Sequence, residues 1–300
     1  MTPIRDPSAP CAGTAICADV VASAGIRVTM DQFPDLRQRP GPGLGAALPA
    51  SVLRHADEQT VAGLAAVLHA IHDFQMDVTD FRDWGIVAGP CFLGRATLAV
   101  ALQRLAAEGA WGISPHFIPH RSQHAVAGTI SQVLKIVGPN LGAGGGPGSV
   151  VQALLAGAAL LQDNRLPGVW IVATEWEPEA IPDANGGIPP EAVCHAVALA
   201  VVAARPSWTG IRLRVLARGT RMAPGQSVQT VSQLQGLLTP VVGDYALPHK
   251  VVWTLEGGGW MEFGRGEGGT NGTRPERVHR AEARVRFDVQ QSGAGTENKR

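Results

Sequence analysis

A glycine-rich run that leads directly into an apolar segment, residues 138–161, constrains the fold more than any other part of the sequence. Five of the residues from 142 to 148 are glycines, whose backbone angles let the chain turn sharply. Pro147 suits the start of a helix, and apolar residues then recur at helical spacing with few charges. The run therefore predicts a loop and then a helix over 148–161 that is buried against a sheet.

A glycine-lined turn at the start of a helix is a favourable place for chemistry. Backbone N–H groups meet the positive end of the helix dipole there, and enzymes use the position for a nucleophile or an anion. The turn contains neither Cys nor Lys. Ser149 either caps the helix or acts as a nucleophile beside a base. Cys91, at the end of a predicted strand, is either a thiol in a crevice or a buried structural residue.

Short apolar runs alternate with helical patterns through the first 220 residues. Strands are predicted at 26–30, 84–89, 169–173, 192–204 and 211–217, and helices at 51–74, 95–108 and 123–136. This alternation is typical of an α/β domain. We expect a mainly parallel central sheet that is covered on both faces.

The composition argues against several classes of function. Lys and Arg together number 25, as do Asp and Glu, so a net charge of zero offers no general attraction to nucleic acid or to an anionic membrane. No apolar run is long enough to span a bilayer, and the N-terminus lacks a signal-peptide pattern. The four cysteines show no CxxC or zinc spacing, which is typical of reduced thiols in a cytoplasmic protein.

Neither a metal nor a cofactor is expected. His116, His120 and His124 suggest metal ligands, and the last two would share a helix face. However, Pro119 and the loop predicted at 114–119 disturb that geometry, and no Cys or carboxylate completes the set. The glycines of the central loop lack the Lys of a phosphate-binding loop, so they do not predict a nucleotide site.

The sequence changes character after residue 220. Residues 227–238 predict a helix, and two apolar runs at 251–255 and 260–263, joined across glycines, predict a hairpin. From residue 265 there is little apolar surface to bury, which favours disorder. We therefore expect three parts: a main domain at 1–220, a small α+β extension at 221–264, and a disordered tail at 265–300.

Three motifs, in this order and spacing, resemble the N-terminal half of β-ketoacyl synthases. They are the Pro-x-Phe-x-Pro loop at 115–119, the Ala-Val-Ala-Gly helix start at 125–128, and the Gly-Pro-Asn turn at 138–140. The resemblance covers roughly residues 14–220. It implies a thiolase-like layered α/β fold, restricted to the N-terminal half, to which the hairpin would be a small C-terminal extension. The chain also resembles short ketosynthase-like proteins of aryl-polyene and xanthomonadin-type clusters, and chain-length-factor subunits.

The chain departs from this family at the positions that carry catalysis. The resemblance places Pro147 at the position of the nucleophilic Cys, so no acyl thioester can form there. His124 replaces the Asn that precedes Ala-Gly, and both histidine motifs of the family's second half are missing. By the same resemblance, Phe117, Gly146 and Gly148 would line an acyl pocket.

Two functions of different class follow from the resemblance. One is a non-catalytic subunit that assists fatty-acid or polyketide-type biosynthesis by pairing with a catalytic ketosynthase or an acyl carrier protein. The other is an acyltransferase or decarboxylase that acts on acyl-ACP or acyl-CoA through Ser149 or His124, so whether the chain is an enzyme stays open. The family also implies a homodimer, or a heterodimer with an active ketosynthase, whose interface strand here contains Val169, Trp170 and Ile171. An uncovered strand of this kind would be prone to aggregation, so we expect that strand to be covered, and to pair with a second chain.

Overall fold

An eight-stranded mixed sheet forms the centre of the structure. The computed structural model describes residues 14–42, 48, 50–115, 117–163, 166–183, 187–216, 228–238, 251–255 and 259–265. The strands are β1 (Thr14–Thr29), β2 (Gly85–Pro90), β3 (Asn140–Gly142), β4 (Val169–Glu177), β5 (Val193–Ala203), β6 (Ile211–Leu216), β7 (Val251–Thr254) and β8 (Trp260–Arg265). Their spatial order is β3-β2-β4-β5-β1-β6-β8-β7.

Helices cover this sheet. They are α1 (Phe33–Gln38), α2 (Ala50–Leu53), α3 (Glu58–Asp73), α4 (Arg95–Glu108), α5 (Phe117–Arg121), α6 (His124–Leu134), α7 (Ser149–Asp163) and α8 (Val231–Leu238). The predicted α/β class is confirmed. The single helix predicted at 51–74 is divided into α2 and α3, because Asp57 has an extended backbone and its side chain caps α3 through the N–H of Gln59.

The direction of the strands corrects the prediction of a mainly parallel sheet. Among the described strands, only the β2–β3 and β2–β4 pairs are parallel, and the other five neighbouring pairs are antiparallel. Strands β4 and β5 are consecutive and no helix joins them in the described part of residues 178–192, which favours antiparallel pairing. The parallel strands are therefore confined to one end of the sheet.

Two apolar layers enclose the sheet. Helices α3 and α6 contribute to the buried cluster on one face, and α7 and α8 contribute to the cluster on the other face. Alternate residues of β4 enter the two clusters, so this strand is covered on both faces as predicted. Helix α7 buries one side only, since Gln152 on its other side is exposed.

Strand β4 is an interior strand whose two neighbours belong to its own chain, which corrects the expectation that it pairs with a second chain. It pairs with β2 on one side and with β5 on the other. Val169, Trp170 and Ile171 are all buried, and the Trp170 ring lies 5.4 Å from that of Phe81. These three residues serve the core of their own chain, so β4 has no free edge to offer to a second chain.

The predicted C-terminal hairpin is present as β7 and β8. Strand β8 also pairs with β6, so the hairpin continues the central sheet. The boundary expected at residue 220 and the tail beyond Arg265 lie outside the described residues. The division of the chain into three parts therefore stays a prediction.

The cysteines differ from the expectation of four reduced thiols. Cys91 and Cys194 are free, but Cys17 is disulfide-bonded. Spacing alone predicted reduced thiols because it contained no recognisable framework, and the cysteine pattern no longer supports a cytoplasmic location. Within the described residues, no helix combines the length and apolar character that a membrane span requires.

Candidate functional site

The glycine loop lies where the parallel strands end. Strands β2, β3 and β4 run in the same direction, so their carboxyl ends share one edge of the sheet, which is the usual place for a site in such sheets. The loop joins β3 to α7 at that edge. Three of its glycines have positive φ angles: +84° at Gly144, +123° at Gly145 and +83° at Gly148. The sharp turn predicted from these glycines is therefore present.

Close contacts leave no room for side chains in the first part of the loop. A Cβ atom at Gly145 would lie 1.8 Å from Nε2 of Gln123, and one at Gly144 would lie 2.7 Å from Cβ of Ser149. The carbonyl of Gly145 also accepts the N–H of Phe92 at 3.3 Å. The loop therefore packs against the starts of α6 and α7 and against the turn after β2.

The second part of the loop is open to solvent. Pro147 is exposed, and a Cβ atom at Gly148 would have no other atom within 4 Å. Ser149 begins α7, and its N–H is donated to the carbonyl of Gly146 at 3.1 Å. An accessible position therefore exists immediately before a helix N-terminus, and a proline that cannot act as a nucleophile occupies it.

Ser149 and Cys91 lie together beneath this opening. Ser149 is 2% exposed, and its hydroxyl is hydrogen-bonded to the Cys91 thiol. Burial, followed by the negative charges of Glu175 and Glu179, raises the pKa of Cys91 to about 11, against the opposing effects of Ser149 and Arg95. The thiol is therefore protonated at neutral pH and is a poor nucleophile.

The backbone of Cys91 belongs to a network that joins three elements. Its N–H is donated to the carbonyl of Thr174 at 2.7 Å, and its carbonyl accepts Nε2 of Gln59 at 3.0 Å. Gln59 Oε1 in turn accepts the Thr174 hydroxyl at 2.8 Å. The network fixes the end of β2 against β4 and α3, which agrees with a structural role for Cys91.

The remaining residues singled out by the sequence are dispersed. His124 is exposed at the first position of α6, and Phe117 is half-buried in the short helix α5, where a loop was predicted. The His120 ring lies 5.8 Å from that of His55, while His116 is outside the described residues. In the part of the chain that the structure describes, no group of three His, Cys, Asp or Glu side chains is placed to hold a metal ion.

Sequence reasoning missed two neighbours of the loop, Gln123 and Phe92. Gln123 precedes α6 and covers Gly145, whereas Phe92 has a φ of +53° and lies 3.5 Å from the Cβ position of Gly146. A left-handed backbone at an aromatic residue has no sequence signal. Both contacts depend on elements that are distant in sequence, so no local pattern indicates them.

Two carboxyl groups near this edge have raised pKa values. Burial, followed by the charge of Glu58, raises the pKa of Asp57 to about 6. Burial also raises the pKa of Glu175 to about 6, although its carboxylate accepts the N–H of Ser232 in α8 at 2.8 Å. Both groups therefore bind a proton more tightly in the folded state than in the unfolded state.

The substitution Asp57→Asn is expected to flatten the pH dependence of stability. The contribution of Asp57 is fully present below its unfolded pKa, near 3.8, and is lost as pH rises through about 6. The stability of the wild type relative to the variant should therefore fall by roughly 3 kcal/mol from acidic to neutral pH. Urea unfolding of both proteins at several pH values measures the difference. Asparagine keeps the oxygen that accepts the Gln59 N–H, and parallel pH profiles would contradict the prediction.

Comparison with known proteins gives matches among solved structures alone. No protein-family model matches the chain, and no curated protein matches it either. One similar structure is a ketosynthase (ApeO) in complex with its chain length factor (ApeC) from Xenorhabdus doucetiae. The match has 15% identity, covers 83% of this chain and 100% of that chain, and has a TM-score of 0.49.

Two further structures belong to the same class of protein. A β-ketoacyl synthase from Burkholderia phymatum STM815 has 12% identity, coverage of 70% of this chain and 67% of that one, and a TM-score of 0.46. A type II polyketide acyl-carrier protein in complex with its ketosynthase (AntDE:AntF) has 16% identity, 63% coverage of both chains and a TM-score of 0.44. This chain thus spans less than two thirds of the matched AntDE:AntF chain. At these identities and TM-scores, no function is carried over.

Proposed function

We propose that this chain is a ketosynthase-like subunit without a nucleophile, which assists acyl-chain biosynthesis of the fatty-acid or polyketide type by pairing with a catalytic ketosynthase or an acyl carrier protein. The observation that carries the proposal is the exposed Pro147 at the start of α7. The resemblance in sequence assigns Pro147 to the position of the family's catalytic Cys, and the glycine loop followed by a helix N-terminus supports this assignment. The side chain required for acyl transfer is missing from that position.

The neighbouring side chains offer little replacement for this nucleophile. Ser149 is buried, and its hydroxyl is already hydrogen-bonded to the Cys91 thiol. The Cys91 thiol is protonated at neutral pH because its pKa is about 11. His124 is exposed and lies on a different helix. These facts weigh against an acyltransferase or decarboxylase that uses Ser149 or His124, and favour a non-catalytic subunit. The acyl pocket expected at Phe117, Gly146 and Gly148 remains part of the proposal.

Reconstitution of acyl-chain extension tests this function. The chain alone should form no condensation product from malonyl-ACP and an acyl primer. Added to a catalytic ketosynthase and an acyl carrier protein from the same organism, it should change the amount or the length of the product. Condensation by the chain alone would overturn the non-catalytic assignment, and a product unaffected by its addition would overturn the assisting role.

The substitution Pro147→Cys tests the position assigned to the missing nucleophile. A thiol at this exposed helix N-terminus should have a lowered pKa, so iodoacetamide should alkylate it at least about tenfold faster than Cys91 at neutral pH. Peptide mass spectrometry measures both rates in one protein, with the wild type as the control. Condensation should still not occur, because the family's two histidine motifs are missing. Equal or slower alkylation at position 147 would contradict the assignment.

We further propose that any dimer forms through β3 instead of β4. Within the described residues, the sheet ends at β3 and at β7. The apolar side chains of β7 are buried in their own chain, whereas Leu141 in β3 is 44% exposed. An exposed apolar edge favours pairing with another chain. A partner on β3 would also lie next to the glycine loop, which follows that strand directly.

The substitution Leu141→Lys is expected to weaken this association. A lysine on an edge strand opposes pairing by its charge, so the dimer dissociation constant should rise by about tenfold or more. Sedimentation velocity at several concentrations, alone and with a candidate ketosynthase, measures the effect. Phe74→Lys, at a residue that is 51% exposed at the end of α3, is the matched control. A monomer under all conditions, or equal effects of both substitutions, would show that β3 is not the interface.

A further inference from the structure

A cavity of about 180 Å³ is lined by Phe92, a residue that also lies next to Gly146 of the glycine loop. The start of α3, the turn after β2 and the residues that follow β4 form its walls. Pro147 and the other loop residues do not line it. It is thus separate from the candidate site described above, and its chemistry can be considered independently.

The carboxylate of Asp57 lines this cavity and is only partly compensated. The residue is 3% exposed, and its Oδ1 accepts the N–H of Gln59 at 2.9 Å. Its Oδ2 lies 3.7 Å from Nε of Arg121, which is beyond hydrogen-bond distance. The Nε–H group of Arg121 instead donates a hydrogen bond to the hydroxyl of Thr97 at 2.8 Å. Among the described residues, Oδ2 of this cavity-lining aspartate therefore has no donor within hydrogen-bond distance.

The other carboxylates that line the cavity already have partners. Glu58 accepts a guanidinium nitrogen of Arg37 at 2.6 Å, and both oxygens of Glu179 accept Nη1 of Arg95 at 2.7 Å. Asp57 is consequently the lining carboxylate with the weakest compensation. Because its pKa is about 6, its carboxyl group is mostly ionised at neutral pH and adds a negative charge to the lining of the cavity.

The rest of the lining is largely apolar apart from Gln59, Thr97 and Arg95, and the Arg95 guanidinium lies over the Phe92 ring at 4.4 Å. Met30, Phe92, Trp176 and Ile188 contribute hydrophobic or aromatic surface. An aromatic wall beside a carboxylate suits a cation that has an apolar body, because the ring face attracts positive charge. The volume is sufficient for a small molecule, since an apolar protein cavity of about 150 Å³ can hold benzene.

We propose that this cavity binds a small organic cation, a primary ammonium on a short apolar chain, with Asp57 Oδ2 as its counter-ion. The ammonium group donates a hydrogen bond to Oδ2 of Asp57. It thereby supplies the donor that Oδ2 lacks, since the Nε–H of Arg121 is donated to Thr97. The alkyl chain lies against Trp176 and Met30. The proposal does not depend on the ketosynthase-like function, because it uses no residue of the glycine loop.

Titration with butylammonium tests the proposal, and 1-butanol serves as an uncharged probe of the same shape. Butylammonium should shift the Trp176 indole NMR signal in a saturable manner at neutral pH, and 1-butanol should bind at least about tenfold more weakly because it lacks the charge. Equal binding of both probes, or no saturable binding of butylammonium, would overturn the proposal. This comparison uses the wild type and does not depend on the folding of a variant.

Two matched variants locate the counter-ion. Asp57→Asn keeps the capping oxygen and removes the charge, so it should weaken butylammonium binding by about tenfold. Asp77→Asn alters another aspartate that caps a helical turn by accepting a backbone N–H, at an exposed position that does not line the cavity, and it should leave binding unchanged. Equal affinities in both variants would show that Asp57 is not the counter-ion.

Discussion

The substitution Trp170→Ala is expected to lower the free energy of unfolding by about 3–5 kcal/mol, because a large buried side chain is lost from the centre of the sheet. Trp170 is fully buried and packs edge-on against Phe81 at 5.4 Å, with Trp84 at 6.1 Å. The surrounding strands β2 and β5 cannot move inward far enough to fill the space. Chemical denaturation followed by circular dichroism measures the loss.

Trp111→Ala is the control for this prediction. Trp111 is 98% exposed, so the same change of residue should alter stability by less than about 0.5 kcal/mol. The pair of variants also separates a core role for Trp170 from an interface role. If Trp170→Ala left stability unchanged and weakened only association, the interior position of β4 would be contradicted.

The substitution Arg212→Met should destabilise the fold by about 3–5 kcal/mol, because it removes the buried counter-ion of Asp19 and leaves only the half-exposed Arg205 to compensate a buried charge. Asp19 is fully buried in β1, and its Oδ1 accepts Nε of Arg212 at 2.8 Å. Its other oxygen accepts the N–H of Arg205 at 2.8 Å, but the Arg205 side chain is half exposed and lies 3.3 Å away. Methionine keeps most of the packing of Arg212 while removing its charge.

An exposed ion pair provides the comparison. Arg95→Met removes the bonds to Glu179, and it should cost less than about 1 kcal/mol because water screens that pair. Denaturant unfolding of both variants, with the wild type as reference, measures the difference. Similar losses of stability in the two variants would show that burial does not increase the contribution of the Asp19–Arg212 ion pair to stability.

Local sequence patterns predicted helices and strands well where a segment showed a single periodicity. Helix α4 has the predicted bounds, 95–108, and strand β4 begins at Val169 as expected. Strand β1 was recognised only at its end, because residues 14–25 are mostly small and lack the β-branched alternation of a strand. Its length comes from pairing with β5 and β6 on its two sides, which is a tertiary effect.

The candidate site was predicted in outline and not in its contacts. The glycine run indicated a turn at a helix start, and the positive φ angles of Gly144, Gly145 and Gly148 agree with it. The hydrogen bond between the Ser149 hydroxyl and the Cys91 thiol joins residues that are far apart in sequence, so no local sequence pattern predicts it. The partners of β4 were also missed, since the apolar pattern of a strand shows that it is buried but not which strands lie beside it.

The position of β1 has a consequence for how the chain is made. This first strand lies between β5 and β6, with Ala18 opposite Ala203 and also opposite Leu213. A ribosome must therefore synthesise most of the sheet before β1 can form its hydrogen bonds. Until then both of its edges are unpaired, which exposes a long strand to aggregation and makes folding slow because its contacts are distant in sequence. We expect nascent chains that end before residue 193 to need protection of β1 by a chaperone.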